Sequence, residues 1–213
     1  MARKEQSQRD KDRRIQDIID ASKIIFFDKG FINTTMQDIA AGSELSRRTI
    51  YLYFKSKEEI SFEIAKRAFK SLQESATLSM NSSKKGFEKL IDFKDAYMEL
   101  FKEEFSNFYF TVFLDFKIYA KLVSKESIRE LLSIINEIVN KIEECVIEGI
   151  KDGSIKPDVT NIRCKSIAAM NIIHATMQKI AIRKDLLESF TGFSSSELIE
   201  ETFGFIFTNL KNN

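Results

Sequence analysis

Pro157 is the only proline in this 213-residue chain, and only seven glycines accompany it. Proline removes a backbone donor and glycine relaxes φ, so a chain this poor in both runs in long uninterrupted segments. Those segments mix Ile, Leu and Phe with Lys and Glu at three- and four-residue spacing, and strand-type alternation is scarce. The pattern predicts an all-α protein of about nine helices. A hydrophobic content of 43% is enough for a sizeable core.

The few breakers and caps punctuate the pattern. Gly30 closes a helix that starts near Arg13 and turns Ile15, Ile18, Ile19, Ile25 and Phe26 inward, and residues 1–11 are expected to fray. A short second helix over 35–41 has Thr34 as its cap and Gln37 as the answering side chain, with Met36, Ile39 and Ala40 inward. A third, 46–54, is capped by Ser46 and stapled by Leu45 and Ile50. Ser56 and Glu59 open a fourth, which runs through Ile60, Ile64, Ala68 and Leu72 toward Met80. "NSSKKG" at 81–86 is the clearest composition break. Helices are expected beyond it at 87–104, 107–121, 125–152, 159–184 and 195–211, with Gly153, Pro157 and a Ser194–Glu197 capping box between them.

Three short helices joined by tight turns match a helix-turn-helix unit. On a wheel, Ile50 and Phe54 share one face of the third helix, and Arg47, Arg48, Thr49, Tyr51 and Leu52 crowd the rest. A solvated helix usually carries Glu and Lys there. Arginine and tyrosine instead suit guanine edges and phosphates. The segment "GFINTTMQDIAAGSELSRRTIYLYFKSKEEI" (30–60) resembles the DNA-binding segment of the TetR family of bacterial transcriptional regulators, and the likeness extends from about Asp12 to Ser71.

The resemblance implies a DNA-binding domain over 12–72, with its helix-turn-helix motif at about 35–54, and a ligand-binding and dimerisation domain over 81–213. It also implies roles. Thr35 presents its amide and hydroxyl to phosphate. Ser46, Arg47, Arg48 and Thr49 approach the major groove. Tyr51 and Tyr53 lie along the duplex backbone, where core packing is the competing reading for Tyr53. Lys57 clamps a further phosphate. Two positions depart from the family pattern. Ser43-Glu44-Leu45 replaces a usual Ala-Gly-Val, so either Glu44 is strained or Gly42 makes the turn. Arg48 stands where a small residue is common.

The C-terminal part is rich in rings. Phe93, Tyr97, Phe101 and Phe105 recur every four residues, and Phe108, Tyr109, Phe110, Phe113, Phe116 and Tyr119 cover most of the next helix. Plain core is one reading of these residues. The other is a cavity for a lipophilic molecule, lined by Phe93, Tyr97, Phe101, Phe113, Phe116, Met170, His174 and Met177. His174 is the only histidine, so a histidine metal cluster is excluded, and either a core or a ligand contact is open to it. Cys145 and Cys164 form no CxxC pair, and buried free thiols are expected rather than zinc or a disulfide. No cofactor is implied. In the family the last two helices form a dimer interface, here through Ile199, Phe203, Ile206, Phe207 and Leu210. A two-fold dimer reads a palindromic operator.

Residues 1–70 are net basic and the remainder net acidic. No apolar run reaches the roughly 20 residues that span a bilayer, and the charged N-terminus is unlike a signal peptide. A cytoplasmic protein without membrane partners is expected. There is no phosphate-binding glycine loop, nucleophile elbow or metal motif, which argues against an enzyme. The functional expectation is a repressor that binds duplex operator DNA as a homodimer and is released by a small lipophilic effector. The alternative is a DNA-bound adaptor controlled by a protein partner and lacking a small-molecule pocket.

Overall fold

The computed structural model describes residues 2–112 and 123–212. The described residues form nine α-helices: α1 (Ala2–Lys29), α2 (Met36–Gly42), α3 (Arg47–Tyr53), α4 (Lys57–Met80), α5 (Gly86–Glu103), α6 (Phe105–Thr111), α7 (Lys125–Asp152), α8 (Ile162–Thr191) and α9 (Ser195–Leu210). Phe113, Phe116 and the later part of the helix expected at 107–121 lie outside the described residues. The chain packs as two compact units, one holding the residues up to Ile64 and the other Ala65–Val112 and the chain from Lys125 onward. The division falls inside α4.

In the first unit, Ile18, Ile19 and Phe26 of α1 are buried, as are Ile39 of α2, Ile50 of α3, Phe54 and Ile60. The helix α1 starts well before Arg13. Gln–Asp hydrogen bonds one turn apart, Gln6 to Asp10 at 3.3 Å and Gln8 to Asp12 at 2.8 Å, support the polar turns expected to fray. Gly30, with φ of 77°, ends α1. Thr34 is buried and donates its hydroxyl to the Gly30 carbonyl at 2.9 Å. With Thr34 used to close α1, the cap of α2 moves on by one. Thr35, not Thr34, accepts from the Asp38 amide, and Asp38, not Gln37, answers it.

In the second unit α5 packs on α7, α7 on α8, and α8 on α9. Tyr97, Phe101, Phe108, Ile138, Met177 and Phe203 lie in its core. A side chain at Gly86 would put its Cβ 2.2 Å from the Gly149 amide nitrogen, so α5 and α7 meet backbone to backbone there. The first-turn amides of α5, which have no partner within their own helix, donate across that contact, Gly86 to the Asp152 carboxylate at 2.8 Å and Phe87 to the Ser154 hydroxyl at 3.2 Å. The helix α8 continues past the expected end at 184, with a break from helical geometry at Arg183. Gly192, with φ of 74°, then ends it. The expected Ser194–Glu197 box opens α9. An isolated antiparallel bridge, Ile155 to Lys211, pins the end of α9 to the turn after α7. Cys145 is buried as expected, whereas Cys164 is exposed: it sits on the solvent side of α8, opposite buried Ser166 and Met170.

Candidate functional site

The helix α3 has a narrow inner face. Ile50 is fully buried and Phe54 nearly so, Tyr53 and Thr49 are half-buried, and Ser46, Arg47, Arg48, Tyr51 and Leu52 face solvent. The Ser46 hydroxyl accepts the Thr49 amide at 3.1 Å and pairs with the Thr49 hydroxyl at 2.8 Å, which fixes the first turn. The Arg47 guanidinium lies 6.0 Å from the Tyr51 ring centroid, one turn along the same face. No carboxylate of the described residues pairs with Arg47 or Arg48. The outcome is an exposed pair of cations beside an exposed aromatic, on a helix held rigidly by its opposite side.

The turn that presents α3 carries strain where the sequence departs from the family. Glu44 has φ of 55°, the left-handed region that favours glycine. Gly42 does not relieve it, because it belongs to α2 and serves a close approach in which a Cβ would lie 2.6 Å from Ile25 Cδ1. Hydrogen bonds from Leu45 to the Ala40 carbonyl at 3.0 Å and from Glu44 to the Ala41 carbonyl at 3.3 Å hold the turn closed.

Two expected phosphate contacts are engaged inside the protein. The Thr35 amide and hydroxyl both donate to Asp38 Oδ2, at 2.9 and 2.7 Å. Lys29 donates to Asp38 Oδ1 at 2.6 Å, and this with the Thr35 bonds holds the Asp38 carboxyl well below the usual carboxylate range. Lys57 is turned inward. Its ammonium donates to the carbonyls of Phe31 at 2.6 Å, Thr34 at 2.8 Å and Ile32 at 2.9 Å, which uses all three protons, and it lies 4.8 Å from the Phe31 ring. The residue expected as a phosphate clamp is thus a brace for the link between α1 and α2. An ammonium satisfies those three carbonyls better than the water that would otherwise reach them.

In the second unit an apolar cleft of about 230 Å³ opens between α5, α7, α8 and α9. Phe93 and Met170 line it as expected, and Val146, Ile173 and Phe203 join them. Tyr97, Phe101, His174 and Met177 do not. They fill the core on the side of α8 that faces α6, because the rings interlock: Tyr97 lies 5.8 Å and Phe101 5.2 Å from Phe108, and the His174 ring lies 4.7 Å from Phe69. Tyr97 OH pairs with His174 Nδ1 at 3.0 Å, while Nε2 is enclosed without a partner. Burial pushes the His174 pKa down to about 4, so the imidazole is neutral at neutral pH. Sequence reasoning missed Lys165 and Ser166, which line the same cleft. The signal was present: Ser166 falls one turn before Met170 and two before Ile173 on one face of α8.

The expected dimer stripe is also placed differently. Ile199 and Phe203 are buried within the unit, and Ile206, Phe207 and Leu210 line the cleft. The large apolar side chains that the last two helices and their link leave in solvent include Ile172, Leu186 and Phe190 of α8, Phe193 in the link and Phe205 of α9. The helix α9 is apolar on two sides, and α8 covers one of them. Among the described residues no group of His, Cys, Asp and Glu could hold a metal ion, and no helix is long and apolar enough to cross a membrane.

A capped recognition helix with cationic and aromatic residues outward, held by two helices through a tight turn, defines a helix-turn-helix DNA-binding regulator. The family described as bacterial regulatory proteins, tetR family, matches residues 18–68. The HTH-type transcriptional regulator YhgD of Bacillus subtilis (strain 168) is 30% identical over 141 residues, 66% of this chain and 71% of its own. The HTH-type transcriptional repressor DhaR of Mycobacterium sp. (strain GP1) is 24% identical over 145 residues, 68% of this chain and 71% of its own. Among solved structures, the TetR family regulator PfmR of Thermus thermophilus superposes with a TM-score of 0.70 at 19% identity, covering 92% of this chain and 99% of that one. FadR of Bacillus subtilis, solved in complex with stearoyl-CoA, superposes with a TM-score of 0.69 at 19% identity, covering 91% and 98%. The chain belongs to the tetR family, whose members are transcriptional regulators and not enzymes.

Proposed function

We propose that this regulator is a repressor that binds a palindromic duplex operator as a homodimer and is released by a small lipophilic effector. Residues 12–72 read DNA, and residues 81–213 bind effector and dimerise. Arg47 and Arg48 read base edges or clamp phosphates, with Tyr51 beside them on the backbone and Ser46 and Thr49 at the groove. The observation that carries the DNA reading is the exposed, unpaired Arg47–Arg48–Tyr51 face on a helix buried only through Ile50 and Phe54. The apolar cleft favours a small-molecule effector over the alternative of a protein-controlled adaptor with a filled core.

Release is a population shift. Effector favours a dimer whose two recognition helices no longer match half-sites about 34 Å apart, and α4, which runs through both units, carries the change. Effector and operator then weaken each other by the same factor. The test starts from a duplex selected by this protein from a random pool. Arg47→Ala with Arg48→Ala should abolish binding to that duplex while sedimentation still reports a dimer. Undiminished binding by the double variant would remove these residues from the interface.

A further inference from the structure

The cleft says what kind of effector fits. Its walls are aliphatic and aromatic, and none of its lining residues among those described is acidic. Three polar side chains break the apolar surface: Asn209 of α9, whose amide already donates to the Phe205 carbonyl at 2.7 Å, and Lys165 and Ser166 on adjacent positions of α8. Lys165 is exposed and has no ion-pair partner among the described residues. Ser166 is only 4% exposed, and its hydroxyl makes no hydrogen bond there. A serine inside a helix ordinarily returns its proton to the carbonyl one turn back, as Thr176 and Thr202 do here. The Ser166 hydroxyl, on a residue otherwise buried, is not among the fully enclosed unpartnered atoms, so the surface it keeps is open to the cleft that it and the Lys165 side chain both line.

We infer that the cleft binds a single-chain amphiphile with an anionic head, its apolar chain against Phe93, Met170 and Phe203 and its head held by Lys165 and Ser166. The inference rests on the reading of this unit as the effector-binding part. The size follows from volume. A cavity of about 150 Å³ holds the six carbons of benzene, so 230 Å³ accommodates a chain of roughly eight to ten carbons. The charge follows from the lining: a cation with no competing carboxylate favours an anion, and the neighbouring hydroxyl supplies one donor to it.

Calorimetry on the full chain tests this with octanoate, decanoate, dodecanoate and hexadecanoate below their micellar concentrations, and with decanol as the neutral probe. Kd should fall about fourfold per added methylene up to about decanoate and then stop falling. Decanol should bind at least tenfold more weakly than decanoate. Lys165→Met should raise the decanoate Kd about tenfold and leave decanol unchanged. Ser166→Ala should weaken decanoate severalfold while leaving the Tm of the free protein nearly unchanged, a pairing of effects that a merely structural serine would not give. Equal affinity for decanol and decanoate, indifference to Lys165→Met, affinity that keeps climbing to hexadecanoate, or no saturable binding of any carboxylate would each overturn the inference. Affinity for the selected duplex separates it from the broader reading. If decanoate binds as described yet leaves duplex affinity unmoved, the cleft assignment stands and ligand-responsive regulation falls. If another small molecule releases DNA while the carboxylates fail to bind, regulation stands and the cleft assignment falls.

Discussion

At the scale of single residues, the same side-chain chemistry serves opposite ends depending on which way the backbone aims it. Arg47 and Lys57 are both cations near the recognition helix, yet one faces solvent and the other closes on three carbonyls. Lys57→Met should therefore cost roughly 1–3 kcal/mol of stability, the range for losing hydrogen bonds from a charged donor. The salt dependence of duplex binding should keep its slope, since a lost phosphate contact would lower it by about 1. A stable variant with a reduced slope would return Lys57 to the DNA surface. His174 is a second such case. Its folded pKa of about 4 lies below the ordinary 6.5, so the unfolded chain binds the proton more readily between those values. Stability is then complete above about pH 6.5 and declines as pH falls toward 4. The loss from pH 7 to pH 5 should be on the order of 2 kcal/mol. The carboxylates with lowered pKa, Asp38, Asp152 and Glu197, have ordinary values of 3.8, 3.8 and 4.5 and so contribute mainly below that window. Denaturant titrations of the wild type and of His174→Gln at both pH values check this, and an equal decline in the two would rule the imidazole out.

At the scale of elements, what was legible in the sequence is what local chemistry decides. Ser46, Ser194 with Glu197, Gly30 and Gly153 marked helix ends because a cap or a left-handed turn needs only its own few neighbours. The inward face of α3 was legible for the same reason. Thr34 and Thr35 show the limit: either can cap α2, and the choice went to Thr35 because Thr34 is drawn to the end of α1, a contact set by tertiary packing. The cleft was half-legible. Ring content announced a large apolar volume, but whether Tyr97 and Phe101 line a space or fill one depends on Phe108 arriving from α6. The close contact of α5 and α7 was not legible at all, since nothing local distinguishes Gly86 from a glycine of an ordinary loop. Its consequence is measurable. Gly86→Ala would drive a methyl into the Cys145 carbonyl at 2.3 Å and the Gly149 amide at 2.2 Å, and neither backbone atom can turn aside. Separating the helices also loosens the Asp152 cap on α5. A destabilisation of about 1–3 kcal/mol or more is expected by thermal or denaturant melting, and a neutral substitution would show that this contact is not tight in solution.

At the scale of the whole molecule, the question is which apolar surface is left for another copy of the chain. Ile199 and Phe203 are used up inside the unit, at 4% and 1% exposure, whereas Phe190 is 86% and Phe205 75% exposed. Contiguous exposed apolar patches mark association sites, and these are the most exposed rings of the last two helices. A two-fold interface buries the same patch from both sides, so each ring counts twice in the assembly and not at all in the isolated fold. That separates the two sets by experiment. Phe190→Glu with Phe205→Glu should leave the melting of the second unit's core nearly unchanged, because a surface substitution touches none of its packing. It should convert the proposed homodimer to a monomer by sedimentation, because two buried carboxylates would face their counterparts without compensation. Phe203→Ala should do the reverse, costing about 3–5 kcal/mol of fold stability through the cavity it opens, with any loss of dimer following from unfolding. DNA binding reports the same division: the charged double variant keeps both arginines of α3 but reads one half-site at a time, so its affinity for the palindromic duplex should fall toward that for a single half-site. A dimer that survives both glutamates would place the interface on another face.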